Sequence, residues 1–259
     1  MNDIIYLLKF GKEKHLRAFA NGKLYFGNAK LYRGIEEDLK IKGQGDKLEA
    51  STKVFSDNMK MYDNETNELA ADISGIRIQS VFRFPDADLM PIICLFAVYA
   101  EDCVIDENGV YRIHLSDAKK QMIKEHFPNA DSVAIIRKPQ LFINDIERTI
   151  GCELKHEKVH YYKIDKGYTH DESGRIAMDH DYAMYLMQDT PPVSVEGGKK
   201  YSFNSKYLYR VLFCKDEFFK DEQEYRIILP KERIKTGEIY DVDLTEDIEI
   251  MYINSLFEQ

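Results

Sequence analysis

Residues 91–100 read Pro-Ile-Ile-Cys-Leu-Phe-Ala-Val-Tyr-Ala, the longest apolar run in the chain. The run is of strand length and falls well short of the roughly 18–20 apolar residues a membrane helix needs. Its odd and even positions are equally apolar, so Ile92 to Tyr99 is expected to be a central strand buried on both faces. Shorter elements surround it. Ile4 to Phe10 is a β-branched and aromatic run ended by Gly11, a strand. Lys12 to Ala20 places Leu16, Phe19 and Ala20 at helical spacing, and Asn21-Gly22 supplies a stop and turn. Lys23 to Gly27 is a second strand, so the opening is strand, short helix, glycine, strand.

Farther along, Val54 and Phe55 mark a weak strand. Ile76, Ile78, Ser80, Phe82 and Phe84 alternate, the pattern of a strand with one buried face. Ser116 to Phe127 predicts an amphipathic helix with Ser116 as N-cap. Val133 to Arg137 is a buried strand, and Pro139 to Ile150 a helix with proline at its start and Gly151 at its end. Strands are also expected at Val159–Ile164, at Tyr225–Leu229 before Pro230, at Ile239–Leu244 and at Ile248–Ile253. Tyr207 to Phe213 fits either strand or helix. Residues 29–49, charged and holding Gly43 and Gly45, read as a loop with room for one helical turn. Residues 191–200 read as a second loop. With about ten strands, three or four short helices and no regular βαβ alternation, the pattern predicts an α+β fold with a largely antiparallel or mixed sheet. It forms a single domain over 1–259, with exposed polar insertions near 57–72 and 165–182; the second holds His170 and His180.

The 259 residues carry 45 acidic and 36 basic side chains, a formal charge of −9. That balance argues against a broad electrostatic grip on duplex DNA. No segment is suited to a membrane. The N-terminus places an acid before a short apolar run, where a secretory signal has a basic region, so the expected location is cytoplasmic. Cys94, Cys103, Cys152 and Cys214 form no Cys-x-x-Cys pair and are expected to be free buried thiols. His156-Glu157-Lys158-Val159-His160 spells H-E-x-x-H, a zinc motif on a helix. The following Tyr161-Tyr162-Lys163-Ile164 is strand-forming, and in a strand positions four apart lie about 13 Å from each other. No metal is expected there. Glycine-rich Gly43 to Glu49 lacks the Lys-Ser/Thr of a P-loop, and neither a nucleophile elbow nor a dinucleotide fingerprint is present. His15, beside Arg17 on the first helix, is expected to be a surface or internally satisfied histidine rather than a base.

The most informative stretch for function is Phe218 to Pro230, FFKDEQEYRIILP. Glu222 and Glu224 are two residues apart at the start of an expected strand, where i and i+2 share a face. Converging carboxylates raise one pKa and cost stability unless a cation, a hydroxyl-bearing ligand or solvent relieves them. Arg226 continues the same face and can pair with Glu224. A carboxylate so placed can also bind ribose hydroxyls or stabilise positive charge at a glycosidic carbon.

Short motifs along the chain resemble a family of bacterial and phage proteins akin to the DUF2971 group. They are Lys9-Phe10-Gly11, His15, Gly22-Lys23-Leu24-Tyr25-Phe26, Tyr32-Arg33, Gly45-Asp46-Lys47-Leu48-Glu49, Val159-His160-Tyr161, Lys215, Phe219 and Glu222-Gln223-Glu224-Tyr225-Arg226. That family brings no activity with it. Glu222-Gln223-Glu224, with Phe218-Phe219 before it and an apolar strand after it, also resembles the Glu-x-Glu segment of ADP-ribosyltransferases. The resemblance implies NAD as cofactor, Glu224 as the catalytic group on the ribose, Glu222 facing the acceptor and an aromatic touching the target. Two features of that family have no clear counterpart: a Ser-Thr-Ser strand, and an arginine or histidine on the first strand, where Tyr6 and Lys9 are the polar residues.

The expectation is therefore an ADP-ribosyltransferase-like enzyme of a bacterial–phage conflict system that uses NAD to modify a protein or nucleic-acid acceptor. Its catalytic residues would be Glu224 and Glu222, with Tyr6, Lys9, Tyr25 and Arg226 on the cofactor. The alternative is a non-catalytic acidic protein that binds or inhibits a partner protein. A third class, a metal-dependent hydrolase, would use Asp46, Glu49 and Glu222. A deep cleft with Glu224 on its floor favours an enzyme, and a flat, solvated Glu224 a binder.

Overall fold

The computed structural model describes residues 3–39, 45–56, 60–63, 65–66, 68–73, 75–76, 78–164, 179–190, 193–195, 198–200 and 203–258. The opening is β1 (Ile4–Gly11), α1 (Glu13–Ala20) and β2 (Lys23–Phe26), as the sequence predicts. Next comes α2 (Ala29–Leu39), an eleven-residue helix where a loop was expected. Its start is fixed by Asn28, whose Oδ1 accepts from the Leu31 amide at 2.8 Å while Nδ2 donates to the Ile234 carbonyl at 2.9 Å. The charged composition of 29–39 hid this helix, because a capped amphipathic helix needs only one apolar stripe. Asn28 is fully buried. Asn28→Ala is expected to cost about 2 kcal/mol, by removing a cap and leaving a buried carbonyl unpaired. Urea denaturation of the variant measures the loss, and an unchanged midpoint would contradict it.

The chain continues through β3 (Ser51–Ser56), β4 (Lys60–Tyr62), β5 (Leu69–Asp72), β6 (Ile78–Arg83) and β7 (Ile92–Tyr99). The polar 57–72 stretch holds the β4–β5 hairpin. β6 pairs with β3 alone, and Ile76, Val81 and Phe82 are exposed. The buried face expected from the Ile76–Phe84 alternation is formed only at its end, where Phe84 packs on the Leu208–Phe213 cluster and on Phe203, while Ile76 and Phe82 stay exposed. After β8 (Cys103–Ile105) and β9 (Tyr111–Ile113) come α3 (Asp117–His126), β10 (Ser132–Ile136) and α4 (Pro139–Ile150). Ser116 caps α3 through the Lys119 amide, and Gly151 ends α4 in the left-handed region at φ 70°.

The expected Val159–Ile164 strand is instead two pieces, β11 (Lys155–Lys158) and β12 (His160–Tyr162). α5 (His180–Leu186) takes the end of the expected 165–182 loop, while His170 lies outside the described residues. β13 (Val193–Val195) and β14 (Gly198–Lys200) pair within the second expected loop. Ser205–Phe213 is a 3-10 helix, which settles the Tyr207–Phe213 ambiguity. β15 (Cys214–Asp216), a 3-10 helix at Glu217–Glu222, β16 (Glu224–Ile228), β17 (Glu238–Asp241), β18 (Glu249–Tyr252) and α6 (Ile253–Phe257) complete the chain. The fold is α+β, with more helix than the sequence pattern suggested.

The main sheet has the order β11-β16-β7-β1-β10-β18, and every neighbouring pair is antiparallel. β7 is interior, as its two apolar faces require. Leu7, Ile93, Ala97 and Ile227 pack with Phe19 of α1 and Phe142, Ile143 and Ile146 of α4. Leu8, Phe10, Phe96 and Val98 pack with Met122 and Ile123 of α3 and Leu256 of α6. A third cluster joins Ile92 and Ile228 to Tyr182, Leu186 and the Leu208–Phe213 segment. Burying a large apolar side chain contributes roughly 1.5–3 kcal/mol, so these layers hold the sheet. Among the described residues no helix is long and apolar enough to cross a membrane.

One irregularity of the sheet positions the site. β1 and β7 pair from Ile4↔Tyr99 to Leu8↔Phe96 and then stop. β1 continues on β10 to Gly11↔Ser132, and β7 continues on β16 to Ile228↔Ile92. The two central strands thus cease to pair in the middle of the sheet. There the Lys9 Nζ donates to the Cys94 carbonyl at 2.7 Å, satisfying a β7 acceptor that β1 does not reach.

Candidate active site

A cavity of about 210 Å³ lies where β1 and β7 stop pairing. Its apolar lining is Leu8, Phe10, Tyr32, Leu95, Phe96 and Phe127, and its polar lining Lys9, Asp46, Glu49, Cys94, His126, Lys215, Glu222, Glu224 and Arg226. Tyr32 stands so close to the chain that a Cβ on Gly27 would lie 2.6 Å from its hydroxyl oxygen, which requires glycine there.

The charged side chains form a continuous row. Arg226, 1% exposed, makes a bidentate pair with Glu49 at 2.5 and 2.8 Å. Its Nε and Nη2 donate to the two oxygens of Glu224 at 2.7 and 3.2 Å. Lys215 Nζ lies 3.1 Å from Glu224 Oε2 and 2.5 Å from Glu222 Oε2. Glu222 Oε1 meets His126 Nδ1 at 2.8 Å. Lys215 also rests 4.2 Å above the Phe219 ring. The order is Glu49, Arg226, Glu224, Lys215, Glu222, His126: three carboxylates against two fixed cations, and a histidine at the end.

The Glu-x-Glu geometry differs from the expected one. Glu222 ends a 3-10 helix, and only Glu224 belongs to the strand. Between them Gln223 is left-handed at φ 43°, costing about 1–2 kcal/mol for a non-glycine residue. Its side chain is tied to the Ala97 carbonyl at 3.0 Å and to Asp102 at 2.9 Å, which holds the turn. The two carboxylates converge because both reach Lys215, not because they share a strand face. The alternation rule does hold for Glu224 and Arg226, and β16 is an interior strand buried along its whole length.

Burial shifts most groups here. For Glu224 burial works upward, but Arg226 and Lys215 overcome it and hold the carboxyl well below its usual range. Asp46 is pushed up to about 7 by burial and by Glu49, against the pull of Lys215, the Leu48 amide and Arg226. Burial lowers Lys9, with Cys94 and Glu224 opposing. The Cys94 thiol is pushed up to about 12 by burial and by Glu224, which leaves it a poor nucleophile.

Four of the six residues chosen from sequence line this cavity: Glu224, Glu222, Lys9 and Arg226. The other two do not. Tyr6 sits farther back along β1, its hydroxyl donating to the Tyr111 carbonyl at 2.6 Å and its ring 5.6 Å from the Arg137 guanidinium carbon. Tyr25 lies on β2 opposite Ile239 of β17, half-exposed and packed on Gly237. Asp46, Glu49 and Glu222, the residues of the hydrolase reading, all reach the cavity, but Glu49 is taken by Arg226 and Glu222 by Lys215 and His126. His126 had no sequence signal, being a helix-end histidine, and Lys215 stood out only as part of the family resemblance, which says nothing of its bridging role.

The H-E-x-x-H segment is extended, as its strand-forming neighbours predict. His156 Nδ1 meets the Tyr225 hydroxyl at 2.7 Å, whereas the His160 ring packs against Tyr185 at 4.6 Å. His15 is exposed on α1, and the four cysteines are free, but only Cys214 is buried as expected; Cys94, Cys103 and Cys152 are half-buried because each keeps one side toward the surface or a cavity.

Comparison with protein-family models, with curated proteins and with solved structures finds no match to this chain.

Proposed function

We propose that this chain is an ADP-ribosyltransferase-like enzyme that uses NAD to modify a macromolecule, either protein or nucleic acid. The observation that carries the reading is the position of Glu224: buried, ionised and lining a cavity at the break between the central strands. Buried ion pairs are a weak way to gain stability, because desolvation offsets most of their attraction. A row of them along a cavity is better explained by use than by folding. A protein that only binds a partner through its acidic surface has no need of such a row.

The chemistry assigned to Glu224 is electrostatic. With both oxygens held by Arg226 and Lys215 it stays charged and fixed, suited to stabilise positive charge developing at the anomeric carbon of a ribose. The cavity is smaller than the roughly 300–1,000 Å³ of sites that enclose a whole ligand. It therefore takes the nicotinamide-ribose end of NAD, and the rest lies along its mouth. Phe218, exposed beside the cavity, is placed to meet the acceptor.

Glu224→Gln keeps the shape and removes the charge. It is expected to lower nicotinamide release from NAD by about 10²–10³-fold, the range for losing one preorganised electrostatic group. Circular dichroism of the variant checks that the fold survives. Unchanged turnover in a folded variant would overturn the assignment.

A further inference from the structure

Glu224 cannot serve as a base while two cations hold it, so the proton of an attacking hydroxyl needs another destination. We propose that His126 is the general base of this cleft and that Glu222 is its positioning residue. This inference rests on the transferase reading above.

The geometry follows from how the row ends. His126 is the last residue of α3, and its ring is stacked on Phe218 with centroids 6.2 Å apart and planes 18° from parallel. Nδ1 is bound by Glu222 Oε1 at 2.8 Å, and the other Glu222 oxygen is fixed by Lys215 at 2.5 Å. A carboxylate held by a lysine accepts, so Nδ1 carries the hydrogen and Nε2 presents a lone pair. Nε2 has no hydrogen-bond partner among the described residues, and the ring lines the cavity. An imidazole on a cavity wall, oriented by a carboxylate at one nitrogen and without a hydrogen-bond partner at the other among the described residues, is the arrangement of a base that takes a proton from a nucleophile.

The other candidates are less suited. Lys9 is spent on the Cys94 carbonyl and the Cys94 thiol is held protonated. Asp46 accepts from the Leu48 amide at 2.9 Å within its own loop.

In the step, an acceptor hydroxyl or water attacks the anomeric carbon of the nicotinamide ribose. Its O–H proton passes to His126 Nε2 as the new C–O bond forms. The C–N bond to nicotinamide breaks, and its electron pair neutralises the pyridinium. The products are the ADP-ribosylated acceptor, or ADP-ribose when water attacks, with neutral nicotinamide and an imidazolium paired with Glu222.

Three measurements test this. Nitrogen-15 spectra of histidine-labelled wild type are expected to show His126 as the Nδ1–H tautomer, and the Nε2–H tautomer would overturn the proposal. His126→Ala is expected to release nicotinamide about 10²–10⁴-fold more slowly than wild type. Added imidazole should restore a measurable part of that loss, which repair of a merely structural defect would not do. Full turnover in His126→Ala, or loss in Asp46→Asn with none in His126→Ala, would overturn the role of His126 and leave the NAD reading standing. A wild type that releases no nicotinamide would overturn both.

Discussion

Replacing Arg226 with leucine is expected to cost about 3–5 kcal/mol or to prevent folding altogether. The guanidinium is bound by Glu49, by Glu224 and by the Leu212 carbonyl at 2.5 Å, all in the interior. Removing it strands the buried Glu49 without a counter-charge and leaves Glu224 with Lys215 alone, and that, rather than the worth of the pairs themselves, is the large effect. Lysine does not repair it, because one ammonium cannot serve two carboxylates in the bidentate geometry that Arg226 supplies. The double variant Arg226→Leu with Glu49→Leu is expected to recover part of the loss, since one stranded charge is then removed. Guanidinium denaturation of the three proteins measures this. A cost below about 1 kcal/mol for Arg226→Leu would mean that the row is far more hydrated than its burial indicates.

The second large effect concerns pH. Asp46 titrates near 7 in the folded protein against an ordinary value of 3.8. A carboxyl raised on folding contributes stability that is complete below its unfolded pKa and is lost as pH rises through the folded one. From about pH 4 to pH 7 the shift amounts to about 4 kcal/mol of destabilisation, as an upper figure. Asp46→Asn keeps an oxygen for the Leu48 amide and removes the titration. The variant is therefore expected to be more stable than wild type at pH 8 and to lose that advantage near pH 4. Glu224 works in the opposite sense. Its carboxyl is held low, so its contribution is present above its ordinary pKa and is lost as pH falls through the folded value. Comparing wild type with Asp46→Asn across pH isolates the first effect. A difference that does not grow between pH 4 and 7 would contradict it.

The core strands were legible because apolar pattern and burial coincide there. Ile92–Tyr99 had two apolar faces and is interior, and Pro139–Ile150 carried its own start and stop residues. α2 was missed because its cap, Asn28, looks like any polar loop residue until Ile234 and Leu31 are found against it. β6 misled for the opposite reason: its alternation is real, but an apolar face is buried only if another layer arrives, and Phe82 remains exposed. At the site, Glu222, Glu224 and Arg226 stood out as charges in an apolar setting. Their convergence was right and its reason was not, because the left-handed Gln223 is invisible in a run of Glu-Gln-Glu. Lys9 could be chosen as a cation within a buried strand. Tyr6 and Tyr25 shared its neighbourhood in sequence but not the place where β1 leaves β7. His126 lies 96 residues from Glu222 along the chain, a proximity that no local pattern encodes.

Under the proposed function this cavity receives NAD. Calorimetric titration of NAD into the wild-type protein tests it most directly, with ADP-ribose and nicotinamide as competing ligands. Saturable one-to-one binding is expected, weakened by nicotinamide and altered in Glu224→Gln. An absence of binding heat, together with an unchanged thermal midpoint at saturating NAD, would contradict it.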